Sequence, residues 1–325
     1  MTDATFDDSR ADPPQPHQTW SPPAWPPPAA SGQQLVPPVA ATRLSEGRAR
    51  TVTDPRERRM LGWETIVVLG VFPLTATLTA IAFLVAHLVG GPTFNNNLIV
   101  NSSFNWSAAL DALITLGDFA AAGLVIFLLY RSRETLRSIG LSRRGFRRDL
   151  ALLLPVWVFT QAIPQDIGSH IVTGLHWHSF APLSPPTPAI FLIAGLLTSL
   201  SAAVVEEIVV LGYLVRRLEQ RGWSPAVVVL VALAVRVSYH VYYGPAVVPV
   251  VLWAFVTLLL YLRFRRLLPF IICHFVWDAH IFIHQYSSTA SNIFTGAFFV
   301  FALIACPLWL RQDAPIGAPL VQALA

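Results

Sequence analysis

The sequence contains no lysine, few charged residues and only two cysteines. Charged residues make up 12% of the 325 residues, whereas ordinary soluble domains carry about 25%. This deficit, together with long apolar runs, excludes a typical soluble domain and indicates an integral membrane protein. Cys273 and Cys306 lie in separate apolar runs, so we expect no disulfide framework. The sequence also lacks His-Glu-x-x-His, so it has no sharp metalloprotease motif.

Composition divides the chain into three parts. Residues 1–59 are rich in proline and polar side chains, which cannot bury enough apolar surface to fold, and we predict a disordered cytoplasmic tail. No apolar run lies close to Met1, so we expect no cleaved signal peptide. Residues 60–312 form the predicted transmembrane domain, and residues 313–325 form a short cytoplasmic tail.

The predicted transmembrane domain contains eight apolar segments. A helix needs ~20 residues to cross the hydrocarbon of a bilayer, and most of the segments approach that length. Their approximate bounds are 63–89, 108–130, 149–173, 189–215, 224–240, 246–262, 267–284 and 293–310. The sequence therefore predicts an all-α, polytopic transmembrane bundle of about eight spans.

The arginines occupy alternate connections between these segments. The connections at 90–107, 174–188, 241–245 and 285–292 contain no arginine, whereas those between them are rich in it. Basic loops remain on the cytoplasmic side of a membrane, so we predict a multi-pass protein of the cell membrane with both termini cytoplasmic. The membrane topology thus explains why the chain carries a net positive charge, and the partner that we expect is the lipid bilayer. We expect no nucleic-acid partner.

Five of the ionisable residues inside the apolar segments form the candidate site. Glu206 and Glu207 are adjacent in the fourth segment, and His240 closes the fifth. His274 and Asp278 are four residues apart in the seventh segment, which places them on one face of a helix. An ionisable group at bilayer depth costs a few kcal/mol, so such residues mark a functional site by default.

Three interpretations account for these side chains. In the first, a glutamate and a histidine activate water for attack on an amide carbonyl, and the second histidine with Asp278 stabilises the oxyanion. In the second, Glu206, His240 and His274 bind a divalent metal such as Zn²⁺, which activates a bound water. In the third, the polar groups only hold helices together, although two adjacent glutamates are a costly way to do so.

Three short motifs contain these residues, in a fixed order. They are Glu206-Glu207-Ile-Val-Val-Leu211-Gly212, Arg236-Val-Ser-Tyr-His240 and His274-Phe-Val-Trp-Asp278. Their order and spacing resemble the CAAX protease and bacteriocin-processing (CPBP, or Abi) family of intramembrane proteases, which includes the type II CAAX prenyl endopeptidases. The corresponding family motifs are Glu-Glu-x-x-x-Arg, Phe-x-x-x-His and His-x-x-x-Asn/Asp.

The resemblance implies an intramembrane endopeptidase and a role for each residue. Glu206 would activate water together with His240, His274 and Asp278 would stabilise the tetrahedral intermediate, and Glu207 would support the site. Members of the family have been described both as metalloproteases and as metal-independent glutamate proteases, so the resemblance leaves a metal such as Zn²⁺ open. The implied substrate is a peptide or a membrane-anchored protein.

The chain departs from the first motif at Leu211, where the family has arginine. We predict that Arg236, one helical turn before His240, faces the bundle interior and pairs with Glu206 or Glu207 in place of the missing arginine. The alternative partner is Asp118, which would make Arg236 a structural tie. Leu211 also supports an alternative function for the whole protein, that of a catalytically inactive scaffold or immunity protein. A proton-coupled transporter is a further alternative function.

The arginine pattern predicts the topology. In a background without the native cysteines, Ser102→Cys and Ser142→Cys should react with a membrane-impermeant thiol reagent on opposite sides of the membrane. The reason is that Ser102 lies in an arginine-free connection and Ser142 in an arginine-rich one. Equal labelling of both positions from outside intact cells would contradict the eight-span topology.

Overall fold

A computed structural model describes residues 49–91, 104–180 and 189–310, and these residues form helices and connections without any β-strand. The α-helices are α1 (Pro55–Val71), α2 (Pro73–Gly90), α3 (Phe104–Arg131), α4 (Phe146–Ala151), α5 (Leu153–Trp157), α6 (Ile163–Gly174), α7 (Ala189–Glu206), α8 (Val215–Gln220), α9 (Pro225–Ser238), α10 (Val248–Phe264), α11 (Leu268–Tyr286) and α12 (Ser288–Leu310). Two π-helices, Val158–Ala162 and Glu207–Leu214, and two 3₁₀-helices, Leu136–Ile139 and Val241–Val247, lie between them.

The all-α prediction is confirmed in the described part of the chain. Each of the eight predicted segments is largely helical, but among the residues that the structure describes only four helical stretches are long and apolar enough to cross a membrane. These four stretches are Pro55–Gly90, Leu192–Gln220, Val241–Phe264 and Ser288–Pro307. The fold is therefore that of a helical membrane protein, while the count of eight spans stays a prediction.

Helix α1 begins inside the segment that we predicted to be disordered. Asp54 caps the helix because its side chain accepts a hydrogen bond from the backbone N–H of Arg56 (2.9 Å), and Pro55 occupies the first helical position, where it needs no N–H donor. Residues 55–59, which we assigned to the tail, are therefore helical, and the division of the chain into domains stays a prediction. Residues 1–48 and 311–325, which include most of the N-terminal tail and all of the C-terminal one, lie outside the described residues.

The segment before α1 docks on the end of α8. The backbone N–H of Val52 donates to the carbonyl of Gln220 (2.8 Å), and the backbone N–H of Ala49 donates to the Glu219 side chain (3.2 Å). Because α8 continues the helix that begins as α7, these bonds fasten residues 49–52 to the far end of the helix that carries the two candidate glutamates.

Helices α1 and α2 form one long stretch that is interrupted at Phe72. Pro73 has no backbone N–H, so the helical hydrogen-bond ladder breaks at this point. The hydroxyl of Thr75 donates to the carbonyl of Phe72 (2.8 Å), which satisfies a polar group next to the break. Phe72 itself is buried in the core, whereas Val71 and Leu74 are exposed.

The core is built around the second π-helix, and every residue of Glu207–Leu214 is buried. Gly212 allows close packing, because a Cβ at this position would lie 3.2 Å from the side chain of Ile139. Charged side chains fasten one end of the same helix, where Glu134 accepts hydrogen bonds from Arg216 (2.7 Å) and Arg217 (3.1 Å). The helix that contains the two glutamates is thus fixed both by packing and by ion pairs.

The contact between α6 and α10 depends on a glycine. A Cβ on Gly168 would lie 2.5 Å from the Cα of Pro249, closer than real Cβ contacts come. Gly168→Ala should therefore reduce the free energy of unfolding by about 1–3 kcal/mol, the usual cost of overpacking. Chemical denaturation in detergent measures this loss. Gly174→Ala is the matched control, because a Cβ at Gly174 meets no atom within 4 Å, and an equal effect of both substitutions would contradict the prediction.

Candidate active site

The two adjacent glutamates lie where α7 becomes a π-helix. Glu206 is the last residue of α7 and Glu207 the first of the π-helix, and they are 7% and 0% exposed. A π-helix has wider turns than an α-helix and frequently occurs at functional sites. The two carboxylates contact different neighbours, because successive residues of a helix point about 100° apart: Glu207 contacts Arg236 and His274, whereas Glu206 contacts Tyr239.

Arg236 pairs with the glutamates, as predicted. Its Nη2 lies 2.7 Å from Oε1 of Glu207 and 3.8 Å from Oε2 of Glu206, and the residue is fully buried on α9. Its guanidinium carbon lies 4.5 Å from the centre of the Trp253 ring, a cation–π distance. Asp118, the alternative partner, instead accepts a hydrogen bond from the Ser201 hydroxyl (3.3 Å).

His274 is held between two carboxylates. Its Nδ1 lies 2.9 Å from Oε1 of Glu207, and its Nε2 lies 3.4 Å from Oδ2 of Asp278 one turn further along α11. Ionised carboxylates only accept hydrogen bonds, so both ring nitrogens are placed to donate. In this arrangement His274 has no lone pair directed at another ligand.

His240 has the opposite arrangement. It follows α9 in a short turn, and its Nδ1 lies 2.9 Å from the backbone carbonyl of Arg236. A carbonyl oxygen only accepts, so Nδ1 carries the proton and Nε2 of the neutral ring keeps its lone pair. His240 therefore has a nitrogen that can accept a proton.

Two aromatic residues that the sequence analysis did not assign join these groups. The Tyr239 hydroxyl donates to Oε2 of Glu206 (3.0 Å). The Trp253 ring packs edge-on against His274 (5.0 Å between ring centres) and His240 (6.2 Å). Tyr239 lies inside the second motif window, which is a signal that could have identified it. Trp253 lies on α10, outside all three motifs, and the sequence offers no comparable signal for it.

A cavity of about 540 Å³ reaches Glu206 and His240. Its polar walls also include Tyr239 and Asp118. The remaining described lining residues come mostly from the interrupted α1–α2 stretch and are Val71, Phe72, Thr75, Ala76, Thr79, Ala80, Phe83, Gly117, Ala202 and Tyr242. Glu207, which also belongs to the candidate site, does not line this cavity. The five predicted site residues thus separate into a cavity-facing pair, Glu206 and His240, and a group around Glu207.

The structure does not support the predicted metal set of Glu206, His240 and His274. Among the described residues, no three His, Cys, Asp or Glu side chains come together in a metal-binding arrangement. The physical reason lies in His274, because both of its nitrogens face carboxylate oxygens and neither offers a lone pair to a metal. The side chains that the sequence suggested as ligands do not fit Zn²⁺ in this geometry.

The fold and the site define a helical membrane protein with a buried glutamate and a partly buried histidine at a cavity. Residues 188–280 match the model of the Rce1-like type II CAAX prenyl endopeptidase family. This segment contains all three motifs, and the match confirms the predicted resemblance to the CPBP and CAAX protease family. No curated protein and no solved structure matches the chain.

The burial of Arg236 against Glu207 predicts a large effect of breaking the pair. Arg236→Leu should reduce the free energy of unfolding by about 3–5 kcal/mol, because it leaves the Glu207 carboxylate buried without its cation. Chemical denaturation in detergent measures the loss. Adding Glu207→Gln to Arg236→Leu removes the buried charge, so the double variant should be more stable than the sum of the two single losses predicts. Strictly additive losses would show that the two side chains do not interact.

Proposed function

We propose that this protein is an intramembrane endopeptidase in which Glu206 and His240 activate water for hydrolysis of a peptide bond. One observation carries the proposal: these two side chains line the same cavity, and each makes one hydrogen bond with a neighbouring group of the protein. Tyr239 binds one carboxylate oxygen of Glu206, and the carbonyl of Arg236 binds Nδ1 of His240. The other carboxylate oxygen and Nε2 remain for water.

The proposed reaction balances with these two groups and one water. Glu206 takes a proton from the water, and the water oxygen attacks the carbonyl carbon of the substrate while His240 orients it. The tetrahedral intermediate then collapses, the C–N bond breaks, and the proton on Glu206 passes to the leaving amine. The products are a carboxylic acid, which keeps the second proton of the water, and an amine, and Glu206 returns to its carboxylate form.

The remaining polar residues support this pair. His274 does not line the cavity. The proposed role of His274 and Asp278 in stabilising the oxyanion therefore rests on the family resemblance alone. The contacts favour a further role for His274, which holds Glu207 in place and thereby fixes Arg236. A substitution of His274 should therefore affect both catalysis and stability.

We also propose eight membrane spans, cytoplasmic termini and a location in the cell membrane. The alternation of arginine-rich and arginine-free connections supports this topology, and so does the presence of helix in each of the eight apolar segments. The substrate we propose is a peptide or a membrane-anchored protein, because a site among apolar helices is reached most directly by a chain that is already in the bilayer.

Leu211 favours a second candidate, an inactive scaffold or immunity protein of the same fold. The family motif has arginine at this position, and here the leucine is fully buried in the core. Arg236 supports the active enzyme, because its guanidinium contacts both glutamates from a neighbouring helix. A cation therefore accompanies the two carboxylates even though the motif position lacks one.

Cleavage of membrane-embedded peptides by the purified protein in detergent tests the proposal. Glu206→Gln, His240→Ala and His274→Ala should each lower turnover by at least ~10²-fold, the usual scale for losing an acid, base or oxyanion group. The triple variant should be little worse than the worst single one, because groups that act as a unit are not additive.

His284→Ala is the matched control, since it removes an exposed histidine of α11 outside the cavity. It should retain full turnover. A chelator titration alongside should leave turnover unchanged if catalysis uses no metal. A folded wild-type protein that cleaves no substrate in a broad peptide panel would favour the inactive scaffold.

A further inference from the structure

We propose that Tyr239 is a positioning residue that keeps Glu206 available as a base by keeping its carboxylate out of a direct hydrogen bond with Arg236. This inference rests on the proposed function, since it concerns the same carboxylate. The resemblance to the protease family assigned Tyr239 no role. The observations that carry the inference are the hydrogen bonds of its hydroxyl and the packing of its ring.

The direction of the hydrogen bonds follows from the chemistry of the partners. Nε of Arg236 lies 3.4 Å from the Tyr239 hydroxyl, and a guanidinium only donates. The hydroxyl therefore accepts from Arg236, and its own proton points to Oε2 of Glu206 at 3.0 Å. Tyr239 thus forms a bridge between the cation and the carboxylate, with one defined orientation.

This bridge separates the two oxygens of Glu206. Oε2 is engaged by Tyr239 and lies 3.8 Å from Nη2 of Arg236, beyond hydrogen-bond distance. Oε1 has no hydrogen-bond partner among the described residues, and the side chain lines the cavity. Oε1 is therefore the oxygen that can accept a proton from water.

Removal of the hydroxyl should collapse this arrangement. Nη2 of Arg236 is already close to Oε2, and a direct hydrogen-bonded ion pair would need a movement of only about 1 Å, the difference from an ordinary charged hydrogen bond. In that state both glutamates would form hydrogen bonds with Arg236. Glu206 would then be a weaker base, because the cation stabilises its charged form. The hydroxyl thus keeps the two adjacent glutamates in different roles.

The ring of Tyr239 is fixed independently of its hydroxyl. It packs against Phe72 at 5.7 Å and His240 at 4.7 Å between ring centres, and the residue is 6% exposed. Phenylalanine preserves these aromatic contacts. Tyr239→Phe therefore removes the bridge and leaves the local packing in place.

The kinetic test compares Tyr239→Phe with Tyr261→Phe in the full-length protein. Tyr261 is also buried and donates one hydrogen bond, to the carbonyl of Ile139 (3.2 Å), but it lies outside the cavity. Tyr239→Phe should lower kcat by ~10-fold or more with KM changed less than about 2-fold, as expected for loss of an interaction that serves the transition state. Tyr261→Phe should cost similar stability and leave kcat unchanged. Equal kcat losses in both variants, or none in Tyr239→Phe, would overturn the inference.

Infrared spectroscopy tests the bridge without relying on catalysis. The difference spectrum between wild type and Tyr239→Phe should contain a shift of a carboxylate band, and this shift should vanish when both proteins also carry Glu206→Gln. A shift that persists with Glu206→Gln, or no shift at all, would overturn the bridge. Absence of peptide cleavage by the wild type would instead overturn the proposed function, while a shift that depends on Glu206 would still support the hydrogen bond.

Discussion

The buried pair of Arg236 and Glu207 is the interaction on which the rest of the site depends. Two charges without exposure are expensive in an apolar bundle unless they are paired and hydrogen-bonded. The pair satisfies this condition only partly, because Oε2 of Glu207 and Nη1 of Arg236 have no hydrogen-bond partner among the described residues. His274 and Trp253 add the remaining contacts, from two further helices. Four helices therefore converge on one ion pair.

This convergence gives two neighbouring glutamates different chemistry. Glu207 contacts Arg236 and His274, and its charge holds these side chains from two other helices in place. Glu206 contacts only a phenol at hydrogen-bond distance among the described side chains, and it borders the cavity. Successive residues of a helix point about 100° apart, which allows this division, and it occurs where the α-helix becomes a π-helix. Glu207, the more deeply buried carboxylate, thus stabilises the site, whereas Glu206, which has fewer partners, is the carboxylate that we propose as the base.

Much of this organisation could be predicted from the sequence, and the rest depends on tertiary contacts. Apolar runs of sufficient length predicted the helices, and the cost of an unpaired arginine in the bilayer predicted that Arg236 would seek a glutamate. The π-helix could not be predicted, because nothing in the composition of 207–214 distinguishes it from an ordinary helix. The spacing of four residues predicted the contact of His274 with Asp278, but its contact with Glu207 depends on how α11 packs against the helix that carries the glutamates. The two contacts together removed His274 from the predicted metal set. Trp253 was missed because its contacts also depend on helix packing.

The attachment of residues 49–52 to α8 limits where proline can occur in a proline-rich stretch. Both contacts use backbone N–H groups, of Ala49 and Val52, so most side chains are compatible with them. Proline is the exception, because it has no N–H to donate. The sequence follows this rule: proline is frequent before residue 39, is absent from 39–54, and returns at Pro55, where the helix begins and no donor is required. The two hydrogen bonds thus exclude proline at positions 49 and 52, inside a part of the chain where proline is otherwise common.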